Sequence, residues 1–266
     1  MRKRIWMLGL ACGMAAWAEK ITVPLSDPSR PALVKASTVN GSITVHTHPG
    51  KEVIVEVGGG SRPKTEAAPN GMRQIMGGNS GMNVEEEGNV VRVTTFASSR
   101  NSDLVIWVPG RASLNLRSVN GKGINVESVE GDIDVDSMNG GVNLKDVSGT
   151  VVAHAMNGRL VVSLKKVTPD KPMSFSTING TVDVTLPAAI AANMKISNHW
   201  GKVYTDFDMA LTTETDGKKE NGAEGRPRFR VQVDKTTMTG KVNGGGPEIT
   251  FRSMNGTIYI RKEGAR

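Results

Sequence analysis

Cysteine occurs once in the 266 residues, as Cys12. Beyond that position there is no thiol, which excludes disulfides, thiol catalysis and cysteine-held metal. Aromatic side chains are scarce, at 4%. That argues against a bulky globular centre and for a narrow core of Val, Ile and Leu. No apolar run reaches the roughly 20 residues that cross a bilayer as a helix. Long amphipathic helical patterns are missing too; the stretch Ala188 to Asn193 reads as one turn at most.

The apolar sequence that exists sits at the front. Arg2, Lys3 and Arg4 precede a short apolar run, Ile5 to Ala15, and Ala16-Trp17-Ala18 carries small residues at both positions a signal peptidase reads. Residues 1–18 are therefore expected to be a signal peptide cleaved after Ala18, with 19–266 a single domain. The alternative is a lipoprotein signal with Cys12 acylated, although Gly9 stands where an apolar residue is usual. Either reading places the protein in the periplasm, on the outer surface or outside the cell, with no transmembrane segment after cleavage. Removing 1–18 takes the net charge from +7 to +4, 30 basic residues against 26 acidic. So mild an excess gives no argument for nucleic acid.

Glycine is abundant, with 31 residues, and much of it recurs in one motif. The turns are Val39-Asn40-Gly41, Val119-Asn120-Gly121, Met138-Asn139-Gly140, Met156-Asn157-Gly158, Ile178-Asn179-Gly180 and Met254-Asn255-Gly256, with His199-Trp200-Gly201 a degenerate copy. Half-repeats lie between, at Val129-Glu130-Gly131 and Val147-Ser148-Gly149. Glycines from 121 to 158 are spaced 10, 9, 9 and 9; the stronger copies from 121 to 201 are spaced 19, 18, 22 and 21. The short period is a strand plus a turn, and the long one a full coil of two strands. After each glycine, apolar residues alternate with period 2, as in Ile43/Val45, Val142/Leu144, Leu160/Val162, Val182/Val184 and Ile258/Ile260. The first usually lies two residues past the glycine, which puts every pair on one face. Lys122-Gly123 adds a residue before Ile124/Val126 and reads as a bulge.

The expected fold is all-β: a two-sided parallel β-solenoid of about 18–22 residues per coil, with glycine at φ > 0 making each corner and stacked asparagines bonding along the axis. Asn-Gly also favours hairpins, so an antiparallel β-sandwich is the alternative. Along the chain, strands fill 20–57 and resume at Val90–Val93 and Leu104–Val108, and the regular array runs from 111 to 207. Gly- and Asn-rich stretches at about 58–89 and 208–228 read as flexible insertions, followed by strands at Phe229–Val233 and 249–260.

The stretch Leu104-Val105-Ile106-Trp107-Val108-Pro109, the Thr38–Val45 strand pair and Gly131-Asp132-Ile133-Asp134-Val135 resemble the bacterial "putative adhesin" family of β-strand-repeat domains, a domain of unknown function. The resemblance spans roughly 30–57 and 90–207. It implies an exported or anchored β-repeat protein and supplies no catalytic residues.

Candidate chemistry is sparse. Asp132, Asp134 and Asp136 alternate along one strand, about 6.6 Å apart on a solvent face. One strand alone cannot converge oxygens on a cation or a glycosidic bond. The expected register sets His154 beside Asp136 as a surface pair, and puts Asp134 and Asp183 on different sheets. His46 and His48 share a strand but lack a third ligand nearby. No phosphate loop and no nucleophile elbow are present. Trp107 is expected in the core, and Trp200, standing in for a turn asparagine, exposed on the Asn-Gly edge. These residues imply a non-catalytic envelope or cell-surface protein, without cofactor or metal, whose partner is an envelope protein or a glycan. A periplasmic regulator of envelope stress and a carbohydrate-active β-solenoid enzyme are the alternatives.

Overall fold

The structure, a computed structural model, describes residues 19–58, 82–95, 102–168, 171–215 and 236–264. These residues form strands and turns. In chain order the strands are β1 (Glu19–Val23), β2 (Ala32–Asn40), β3 (Ile43–His48), β4 (Val53–Gly58), β5 (Met82–Glu87), β6 (Val90–Thr95), β7 (Asp103–Pro109), β8 (Ala112–Glu127) and β9 (Glu130–Asn157). There follow β10 (Leu160–Val167), β11 (Met173–Asn179), β12 (Val182–Leu186), β13 (Ala192–Trp200), β14 (Val203–Thr205), β15 (Leu211–Thr215), β16 (Thr236–Val242), β17 (Glu248–Asn255) and β18 (Ile258–Lys262). β8 runs on through its Asn-Gly corner, and the 28 residues of β9 run through two corners.

Pairing sorts these strands into two ladders. The first runs β5, β6, β2, the start of β8, the start and then the end of β9, β11, β17, β13, β16, β15. The second runs β1, β4, β7, β3, the end of β8, the middle of β9, β10, β12, β18, β14. The inner strands of both pair in parallel. The expected all-parallel array fails at the ends, where β1–β4–β7, β5–β6 and β13–β16–β15 are antiparallel. These added strands pair with β6, β7 and β13, which would otherwise be exposed ladder edges.

Spatial order departs from chain order at both ends. The pair β2–β3 lies between β6–β7 and β8, and the pair β17–β18 lies between β11–β12 and β13–β14. The pairs β2–β3 and β17–β18 are thus each set one place in from the outermost parallel pair.

The period-2 pattern has the expected effect: Ile43, Val45, Val142, Leu144, Leu160, Val162, Val182, Val184 and Ile258 are almost wholly buried and belong to one core. Within this core Phe175 stacks on Phe251, ring centroids 5.4 Å apart. Beside the Asn-Gly corner the inward column turns polar: Thr38, Ser118, Ser137, Thr177 and Ser253 are buried two residues before their asparagines. Ser118 Oγ donates to the carbonyl of Gly41 on the adjacent coil at 3.0 Å, and Thr177 Oγ1 to that of Gly158 at 3.4 Å.

Asparagines 40, 120, 139, 157, 179 and 255 stack in register, with Trp200 continuing the column. Side-chain amides link four successive steps, among them Asn139 to Asn120 at 2.9 Å and Asn157 to Asn139 at 3.0 Å. Asn139→Ala breaks two of these exposed bonds and is expected to lower stability by about 1 kcal/mol, read from urea melts.

The corner glycines answer only in part to the expected cause. Gly149 (116°), at a looser corner, has positive φ, and Gly131, Gly201 and Gly256 lie at 157–159°, close to extended backbone, whereas Gly41, Gly121, Gly140, Gly158 and Gly180 are not left-handed; positive φ also falls on Ser128 (60°), on Asp146 (55°) and, in the bulge, on Gly123 (103°). The Asn-Gly glycines answer to close approach. A Cβ at Gly121 would strike the Gly41 carbonyl, one at Gly158 the Gly140 carbonyl, and one at Gly180 the Gly158 carbonyl. Each of these Asn-Gly corners rests directly on the backbone of its neighbour in the ladder.

Two expected loops contain structure. Within 58–89, β5 pairs with β6, and within 208–228, β15 pairs with β16. Residues 59–81 and 216–228 of the insertions, the signal segment and the Phe229–Val233 strand lie outside the described residues. The polar character of β5 (Met-Asn-Val-Glu-Glu-Glu) hid a strand with half-buried and exposed residues in alternation, as a cap strand requires.

Candidate functional site

Asp132, Asp134 and Asp136 are exposed, on the outer face of the first ladder. Asp134 accepts a bond from Asn115 at 2.7 Å, and Asp132 pairs with Lys171 at 3.1 Å. His154 does not pair with Asp136; its Nδ1 lies 2.8 Å from Ser176 Oγ on β11. The serine, on the parallel strand to the other side, offers a direct bond where register alone suggested the carboxylate. Asp183 lies on the second ladder, as expected, but it is nearly buried between Arg159 (2.8 Å) and Arg261 (2.7 Å).

His46 and His48 serve different neighbours. His46 Nδ1 is 3.7 Å from Glu127, and His48 Nε2 is 2.8 Å from the Glu52 carbonyl. The Lys145 ammonium, bonded at 2.8 Å, holds the Glu127 carboxyl below the usual carboxylate range. The carboxyls of Asp27 and Glu86 are likewise held down, by bonds from Ser29 and from the Ser26 backbone respectively. These shifts favour the charged form, the opposite of what a general acid needs. Among the described residues no group of three or more His, Cys, Asp or Glu is placed to hold a metal.

Trp107 is not in the core. Leu104, Ile106 and Val108 take the inner face of β7, so strand parity turns Trp107 outward. There it lies 6.5 Å from the His46 ring, with Lys20 5.5 Å over its face. Trp200 is 68% exposed on the Asn-Gly edge. Close by in sequence, Tyr204 stacks on Tyr259 at 5.3 Å, and the Arg261 guanidinium covers Tyr259.

The outer face of the first ladder carries a hollow of about 830 Å³ over the end of β9, β11, β17, β13 and β16. Its rows follow the register. One row runs His154, Ser176, Arg252, Ser197, Thr237; the next includes Ser174, Thr250 and Lys195. Short hydroxyl side chains make the floor, which is why the face dips there, and longer ones stand around them. Ile178, Met254 and His199 form the side nearest the asparagines. Among the described residues neither Lys195 nor Arg252 has a carboxylate within ion-pair reach. Glu248 is turned to the Thr250 hydroxyl at 3.2 Å. The site was not legible in the sequence because its residues come from five separate stretches, and only the non-sequential placement of β17 brings them together.

No helix among the described residues is long and apolar enough to cross a membrane. No protein-family model matches the chain, and no curated protein does. Among solved structures, 93% of the chain aligns with the whole of a "putative cell adhesion protein" from Clostridium sporogenes, at 10% identity and a TM-score of 0.42. A "putative adhesin" from Bacteroides fragilis aligns over 93% of this chain and 98% of its own length, at 12% identity and a TM-score of 0.33. Both likenesses are too distant to decide a fold or a role.

Proposed function

We propose that the chain is an exported, non-catalytic β-solenoid of the cell envelope or surface, working as an adhesin or interaction scaffold. The solenoid reading draws support from the two parallel ladders, their shared core and the in-register corners. The observation that carries the functional reading is the open outer face of the first ladder, where cations and hydroxyls gather over β11, β17, β13 and β16 while Asp132, Asp134 and Asp136 stand apart on the start of β9. Stacked coils offer such extended surfaces to polymers and proteins. The sequence resemblance to adhesin-type repeats points the same way.

The test is fractionation of tagged cells with crosslinking, N-terminal sequencing of the product, and incubation of the purified chain with envelope glycans. The expected result is a mature chain beginning at Glu19, found in the envelope or medium, crosslinked to a surface component and releasing no sugar. A cytosolic location, or glycan release abolished by Asp134→Ala or Asp183→Asn, would overturn the reading.

A further inference from the structure

The hollow on the first ladder has a composition that selects among ligands. We propose that it binds an acidic polysaccharide, a glycan carrying sulfate, phosphate or carboxylate groups; this rests on the scaffold reading and names the ligand class. Lys195 and Arg252 stand on adjacent strands β13 and β17, displaced by two residues in register, so their Cβ atoms are diagonal neighbours. A diagonal of this kind measures roughly 7–8 Å. Two cations so spaced match successive anionic groups on a polymer better than one small ion. Arg252 lies between Ser176 and Ser197, which leaves its planar fork free to take an oxyanion through two parallel bonds. Ser174, Ser176, Ser197, Thr237 and Thr250 both donate and accept, as sugar hydroxyls do. The row from His154 to Thr237 crosses four strand steps, about 19 Å, long enough for several sugar units.

Other occupants fit less well. No Phe, Tyr or Trp is among the residues lining the hollow, so unpaired bases have only the His154 and His199 imidazoles at its margins to stack on. A protein partner wants an apolar centre within a polar rim; here Ile178 and Met254 lie to one side and the centre is polar.

The experiment is calorimetric titration of the purified chain with dextran sulfate, a phosphomannan, polygalacturonate, neutral dextran and a single-stranded oligodeoxynucleotide. Binding of at least one of the three acidic polymers, and weak or no binding of dextran and DNA, is expected; the three acidic arms identify the anion. The double variant Lys195→Gln, Arg252→Gln is expected to weaken binding about tenfold or more. Lys35→Gln with Arg92→Gln removes the same charge from the far end of the same ladder and is expected to change it less than about twofold. If the first pair disturbs the circular dichroism spectrum, Ser197→Glu, which sets a carboxylate beside Arg252, is expected to weaken binding as strongly. No binding to any acidic polymer, equal loss in both double variants, or equal affinity for dextran or DNA overturns the proposal. Envelope crosslinks that persist alongside such a failure leave the scaffold reading standing, so the two fail separately.

Discussion

Deleting residues 248–266 is expected to unfold more than the coil it removes. β17 and β18 fill the place between β11–β12 and β13–β14. Without them β13 and β14 lose their parallel partners, and the inner faces of Phe175, Met194 and Ile196 are opened. Ile249, Phe251, Ile258 and Ile260 go with the deleted strands, all nearly fully buried. At about 1.5–3 kcal/mol for each such side chain, the loss rivals the roughly 5–15 kcal/mol that separates a folded domain from its unfolded chain. In an array stacked in chain order, losing the last repeat costs only that repeat and its one interface. The expected outcome is protein that is insoluble or lacks a cooperative urea transition, with 192–215 open to protease. A truncated chain that melts cooperatively, with 192–205 still protected, would contradict the pairing described.

Gly180→Ala is expected to destabilise by about 3 kcal/mol or more, against about 0.5 kcal/mol or less in either direction for Gly110→Ala. At Gly180 a methyl group meets the Gly158 carbonyl, which as backbone cannot swing aside, and crowds the Thr177 hydroxyl at 3.1 Å. At Gly110 the same methyl meets nothing within 4 Å, and φ there is not left-handed. Paired urea melts with a common slope decide it. Equal midpoints for the two variants would mean that the Asn-Gly corners are looser than the register requires.

Much of the inner architecture was legible in the sequence. The constant offset between glycine and apolar pair predicted Ile43/Val45 through Ile258/Ile260 as core, and the Asn-Gly spacing predicted the register Asn120 to Asn139 and Asn157 to Asn179. The bulge at Lys122-Gly123 was legible for the same reason: a single extra residue breaks a strict period, and the ladder shifts register there. The role of the glycines was not, because a sequence shows that a side chain is missing without showing what occupies its place. Trp107 was misplaced because a continuous apolar run hides parity, which Leu104, Ile106 and Val108 decide. The hollow was invisible for a topological reason. Arg252 and Lys195 are far apart in the chain, and no period connects them; their meeting follows from β17 lying between β11 and β13.

That interleaving also bears on timing. As the chain is made, β2 and β3 emerge before either strand pair that flanks them, and the slot between β11 and β13 stays empty until residues 248–262 exist. Residues 192–205 must therefore wait, loosely held, for a strand pair synthesised some fifty positions later. A chain so arranged cannot close this part of its core until the 248–262 strands have been made. Closing it is an insertion: β17 and β18 pair on both sides rather than adding to an exposed edge.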